Sequence, residues 1–143
     1  AGSLRSKLTS GTLYAFDTGF QARVAAGIYV GTGDTAFSPD QYVLVTPIAD
    51  GAGSGQLSHI AGVVGDAAYT AGTKTWKTSN YRVFNNNSGA SITVKEVGIY
   101  AATYGSGTTY MFERSVLAPT VAVANGAQLT VTYEISMNFS AID

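Results

Sequence analysis

Residues 128–139, QLTVTYEISMNF, alternate apolar and polar side chains without a break. Leu129, Val131, Tyr133, Ile135, Met137 and Phe139 take one side, and Gln128, Thr130, Thr132, Glu134, Ser136 and Asn138 the other. A period of two fits a strand with one face buried and the other wet. Asn125-Gly126 just ahead of it reads as a tight turn. Such a strand needs neighbours, and the chain offers several. Residues 74–84 end at an Asn-Asn-Asn-Ser-Gly loop, 91–101 follow, and 109–117 stop before Pro119. Residues 22–30 and 42–48 are further candidates, while 52–73 show no clean period. No long stretch repeats at 3.6 residues, so the expected class is all-β. The expected architecture is a single antiparallel β-sandwich or jelly-roll-like domain over residues 26–143. Residues 1–25, rich in Ser, Thr and Gly with Arg5 and Lys7, read as an N-terminal arm or edge segment.

Charge narrows the functional classes. Charged residues make up only 12% of the 143, about half the usual share, and the net charge is −1. The eight Lys and Arg form no basic block, so no nucleic-acid partner is expected. The absence of cysteine removes disulfides and thiolate metal sites. No apolar run approaches the ~20 residues of a membrane helix, and the opening residues carry no secretory-leader pattern. A surface this poor in charge suits a chain that covers itself by assembling, so a homo-oligomer is expected.

Two charges interrupt apolar runs: Glu96 in ITVKEVGIYA and Arg114 in TYMFERSVL. A hairpin centred on Gly105 places Glu96 opposite Arg114, Gly98 opposite Phe112, Tyr100 opposite Tyr110 and Val94 opposite Val116. An unpaired carboxylate on a buried face is costly and a paired one tolerable. Glu96 and Arg114 are therefore expected to form a structural ion pair that fixes register. Gly98 is expected to leave room for the ring of Phe112. A carboxylate catalyst would want a second acid or a histidine nearby. The other two Glu residues, Glu113 and Glu134, fall on polar strand positions.

Other motifs carry little chemistry. GTGDT, residues 31–35, has the look of a phosphate loop but lacks the Gly-Lys-Ser/Thr ending and a following helix, so a turn is expected. Asp34, Asp40 and Asp50 fit no EF-hand spacing. His59, the one histidine, has no nucleophile motif beside it. No catalytic residue, metal site or cofactor is expected. Tyr14, Tyr29, Tyr69, Tyr104 and Trp76 could line a sugar surface, although strand aromatics more often serve a core or interface. The glycosylation patterns at Asn86 and Asn138 are expected to be incidental.

Three stretches together resemble small structural proteins of bacteriophage virions. VGTGDTAFSPDQYVLVTPIADG (30–51) resembles their V-G-T-G-x-T…D-x-x-L…I segment. YRVFNNNSGASITVKEVGIY (81–100) resembles F-x-N-x-S-G-x-x-I-x-V-x-E-V-G-L-Y, with Ile99 for the usual Leu. FERSVLAPTVAVANGAQLTVTYEISM (112–137) resembles R-x-V-L-x-P…V…G-x-x-L-x-V-x-Y. The resemblance covers roughly residue 28 onward and maps Glu96 and Arg114 onto that family's recurrent Glu and Arg. It implies a non-enzymatic component located in the virion that contacts its own copies and other virion proteins, head decoration being favoured. The alternatives are a neck, tail or fibre component, or a carbohydrate-binding receptor-recognition module.

Overall fold

The computed structural model describes residues 27–102 and 109–139. Among these residues eight strands follow one another: β1 (Gly27–Gly31), β2 (Ser58–His59), β3 (Val63–Val64), β4 (Ala68–Thr70), β5 (Thr75–Asn85), β6 (Ile92–Ala102), β7 (Thr109–Val123) and β8 (Gln128–Asn138). One sheet has the order β1-β6-β7. In the other, β8 pairs with β5 from Thr75↔Asn138 to Asn85↔Gln128. The other side of β5 is shared in succession by β2, β3 and β4, all antiparallel. Residues 58–70 are thus one broken edge strand, and short pairings with kinks between them explain why no period shows in that stretch.

The two antiparallel sheets pack as a sandwich. Ile28, Val30, Ile92, Val94, Val97, Ile99 and Val123 come from the first sheet, Phe84 from the second, and Ile48 and Leu57 from connecting loops. Leu129, Val131 and Tyr133 close over them. On β8 the expected alternation holds, half-buried at Leu129, Val131, Tyr133 and Ile135 and exposed between, though Met137 and Phe139 lie past the core proper. Gly126 takes φ +80 in the turn before β8, a conformation an L side chain resists. On β6 the buried apolar positions run Ile92, Val94 and then Val97, Ile99, Ala101. The phase slips by one at Lys95-Glu96, where the β6–β7 register also shifts. That slip turns Glu96 away from the core side.

Several expected boundaries move. β7 continues through Pro119 to Val123, with a cis Ala118–Pro119 bond. It can do so because the proline lies in the register break between Val94↔Val121 and Glu96↔Val116, where no ladder donor is needed. Residues 42–48 are not a strand but a loop touching β1 through the Gly31↔Pro47 bridge. Only Leu44 and Ile48, four residues apart, are buried there, while Tyr42, Val43 and Val45 are exposed. The expected arm, 1–25, and the hairpin tip around Gly105 lie outside the described residues.

Asn86 secures the far end of the sandwich. It is fully buried. Its Nδ2 donates to Ala90 O (2.8 Å) and Val123 O (2.7 Å), and its Oδ1 accepts from Ser88 N (3.1 Å) and Ser88 Oγ (2.7 Å). The Asn-rich stretch that reads as a loop is a hydrogen-bond hub, which leaves its glycosylation pattern without an accessible amide.

Candidate functional site: a loop held on a buried carboxylate

The structure brings Glu96 and Arg114 together, but not directly opposite. Gly98 pairs with Arg114 and Glu96 with Val116, two residues away from the expected register. Tyr100 pairs with Met111, not Tyr110, and Val94 with Val121, not Val116. A shift of two keeps side-chain parity, so Glu96 and Arg114 still share a face as diagonal neighbours. One residue of the shift is already present at Tyr100↔Met111, and a bulge on β7 adds the other: Ile99 pairs with Glu113, and Phe112 is the inserted residue. Phe112 therefore does not pack on Gly98; its ring is 61% exposed. The space above Gly98 is taken by Leu44, whose Cδ2 would stand 3.0 Å from an added Cβ.

Arg114 Nε donates to Glu96 Oε2 at 2.7 Å, and both side chains are wholly shielded from solvent. Three backbone amides complete the carboxylate: Gly33 N (3.1 Å) and Thr46 N (2.8 Å) to Oε1, and Val45 N (3.1 Å) to Oε2. Arg114 spends its other donors on the same loop, Nη1 to Gln41 Oε1 (2.9 Å) and Nη2 to Thr35 O (3.0 Å). Residues 32–46 are thereby laid across the outer face of the β1-β6-β7 sheet. Thr32 N to Thr46 O (2.9 Å) closes the base, and Leu44 N to the Tyr100 hydroxyl (2.7 Å) adds a further tie. Burial by itself would raise the Glu96 pKa. The Thr46 amide, the Arg114 guanidinium and the Val45 amide outweigh it and hold the carboxyl below its usual range.

This geometry explains the glycines of GTGDT. A Cβ on Gly33 would sit 2.7 Å from Glu96 Oε1 and 2.6 Å from Val45 Cβ, and one on Gly31 would sit 2.6 Å from Thr46 O. The segment does cradle an anion, and the anion is the chain's own Glu96. Outside the cradle, Lys95 Nζ meets Asp34 Oδ2 at 2.8 Å on the surface, where such a pair contributes little.

What the cradle holds up is apolar. Gln41 N donates to Ser38 O (3.0 Å), and Ser38 N to Gln41 Oε1 (3.2 Å), closing a turn at 38–41. Phe37 and Tyr42 flank that turn, 60% and 76% exposed, with Val43 and Val45 exposed behind them. The hydrogen bond from Arg114 to Gln41 sets the turn directly. Sequence reasoning singled out the ion pair but missed its partners, Gln41, Thr35 and the amides of Gly33, Val45 and Thr46. The available signal was the Gly-x-Gly spacing beside a lone buried Glu.

The remaining candidates are structural in geometry. Arg82 is buried and donates from Nε to Ile60 O (2.8 Å) and from Nη1 to Ile28 O (3.1 Å), joining the two sheets. Its guanidinium lies 5.2 Å from the Tyr29 ring centroid and 5.8 Å from that of Phe84. His59 packs edge-on against Phe84 and Tyr29 at 5.0 and 5.7 Å. Burial, with the Arg82 charge second, lowers its pKa. Asp50 accepts the His59 backbone N–H (2.8 Å), and its charge offsets part of that lowering. Glu134 pairs with Lys77 at 2.8 Å in solvent. Glu113 departs from the polar-face expectation. It shares the Ile99 side of the sheet, and its Oε2 is buried. Among the described residues no three His, Asp or Glu side chains gather into a possible metal site, and no helix is long and apolar enough to cross a membrane.

Comparison of the chain with protein-family models, with curated proteins and with solved structures finds no match.

Proposed function

We propose that this chain is a non-enzymatic structural protein of a bacteriophage virion. It associates with its own copies and docks on other virion proteins, head decoration being the favoured role and a neck, tail or fibre position the alternative. The observation that carries the reading is the loop cradle. Gly31 and Gly33, Glu96 and Gly98, and Arg114 come one group from each of the three stretches that resemble phage structural proteins, and they meet at one point. There they fix a loop whose aromatic side chains face outward. A loop ordered before contact loses less conformational entropy on binding, which favours a repeated protein–protein interface. The buried charges are consumed in holding backbone, which leaves them no substrate to act on.

The test is to raise antibodies to the chain and label purified particles from its source for electron microscopy. Label over the head supports decoration, and label at the neck or tail moves the protein there. Particles that carry the chain nowhere overturn the reading. The exposed pair Phe37 and Tyr42 also favours a second reading, a carbohydrate-recognition module, because sugars stack on such rings. Retention on a glycan array that is lost in Tyr42→Ala would support it.

A further inference from the structure

Two open sheets have four outer edges, and three of them are blunted here. The cradled loop covers the outer edge of β1, through Thr32 N to Thr46 O and Ile48 N to Val30 O, both 2.9 Å. The far edge of the β5 sheet is split among β2, β3 and β4, none longer than three residues. Along β7 the register breaks twice, at the Phe112 bulge and again beside Pro119. The outer edge of β8 has none of these devices. Its eleven residues run against β5 without a break, and among the described residues β8 pairs with β5 alone. It holds no proline, glycine, lysine or arginine. Its one charge, Glu134, is met by Lys77 of the same chain at 2.8 Å. Thr130, Val131, Thr132, Tyr133 and Ile135 all favour an extended backbone. The edge is a row of backbone donors and acceptors whose complement is another extended strand.

We infer that β8 of one copy pairs antiparallel with β8 of a second copy, about a two-fold axis at Tyr133. The inference rests on the self-association reading and gives it an interface. Charge and side-chain parity set the register. Full overlap places Leu129 opposite Met137 of the second copy, Val131 opposite Ile135, and the two Tyr133 residues opposite each other. The half-buried apolar row of β8 then continues across the axis, and Met137, 48% exposed in the single chain, gains an apolar neighbour. Thr130 faces Ser136 and Thr132 faces Glu134, so the two Glu134 carboxylates stay diagonal. A parallel pairing in register would set them side by side, where like charges repel. Nine facing pairs along about 30 Å supply about eight to ten backbone hydrogen bonds, the number a standard interface carries. The contact is isologous, closes at two copies and joins the two β5–β8 sheets into one. It does not use the loop 32–46, which stays available to other virion proteins.

Sedimentation of the wild type and two charge variants tests this edge. Thr132 is exposed and meets Glu134 of the opposite copy twice in each pair of chains. Thr132→Glu is expected to weaken association about tenfold or more, and Thr132→Lys to leave it as tight or tighter. An unchanged thermal melt shows that each variant folds. Because the chain has no cysteine, cross-linking reads the register. Thr132→Cys mixed with Glu134→Cys is expected to give a disulfide-linked pair on oxidation. Thr132→Cys alone, two residues out of register with itself, is expected to give none. In hydrogen exchange, every second amide of residues 129–137 is expected to slow as concentration rises. Association that neither charge variant changes, with no linked pair in the mixture, moves the interface elsewhere and leaves self-association standing. A wild type that remains monomeric at the highest concentration reached overturns both. Slow β8 amides in that monomer would show that a segment of the same chain covers the edge.

Discussion

At the scale of the residue, Glu96 is the point on which the loop 32–46 is held. Its four hydrogen bonds replace the water lost on burial, which is why the charge is tolerated. Glu96→Gln keeps the shape but turns one acceptor into a donor facing amide and guanidinium hydrogens, and leaves Arg114 charged and buried. We expect a loss of about 3–5 kcal/mol, a fall of about 10–15 °C in Tm for a domain of this size. Arg114→Met should cost a similar amount. The double variant should cost clearly less than the two singles together, because neither charge survives unpaired. Additive losses in urea melts would count against the pair being one unit.

At the scale of the element, the loop 32–46 has little core of its own, chiefly Leu44, and is ordered from beneath by the cradle. Gly33→Ala forces a methyl into the space of Glu96 Oε1 and Val45. We expect the loop to detach while both sheets persist. Chymotrypsin is the probe, since Phe37 and Tyr42 are exposed targets held in a fixed backbone. Cleavage at those two sites should be slow in the wild type and at least tenfold faster in Gly33→Ala, with far-UV circular dichroism little changed. Equal cleavage rates would mean that the cradle does not order the loop. The Asn86 hub is the matching device at the other end of the sandwich. Asn86→Ala leaves two carbonyls and a backbone amide without their present partners and should cost about 2–4 kcal/mol by thermal melt. A loss under 1 kcal/mol would show that the hub is dispensable.

At the scale of the whole molecule, acid should act in two steps. Burial and Arg82 lower the folded pKa of His59 below its ordinary 6.5, so the unfolded chain takes up the proton first. Stability from His59 is full above about pH 6.5 and is lost as pH falls toward the folded value. Glu96 also has a lowered folded pKa, so its contribution is full above the ordinary 4.5 and is lost as pH falls through the folded value. Urea melts from pH 8 to pH 2 should therefore show a first decline starting near 6.5 that His59→Phe removes. A second decline, below 4.5, should be much reduced in Glu96→Gln. A single decline unaffected by either substitution would show that other carboxylates dominate.

Much of the fold was written in local pattern. The two-residue alternation of 128–139 required a half-buried strand, and β8 follows it because burial on one face is what the pattern encodes. The interrupted apolar runs placed Glu96 and Arg114 on adjacent strands, since a buried charge needs a partner. Their parity was legible, but the register was not. A bulge at Phe112 and a break at Pro119 shift pairing by whole residues, and such shifts depend on how two strands coil around a shared core. The role of Gly31 and Gly33 was equally hidden, because the carboxylate they admit lies more than sixty residues along the chain. The sequence by itself determined that the long strands β5, β6 and β8 form and that Glu96 and Arg114 must meet. Only the tertiary structure decided that residues 42–48, an apolar run that reads as a strand, would instead lie across a sheet as a loop. Their amides are taken by Glu96 and Tyr100, acceptors on β6, and with those bonds made they no longer need a neighbouring strand.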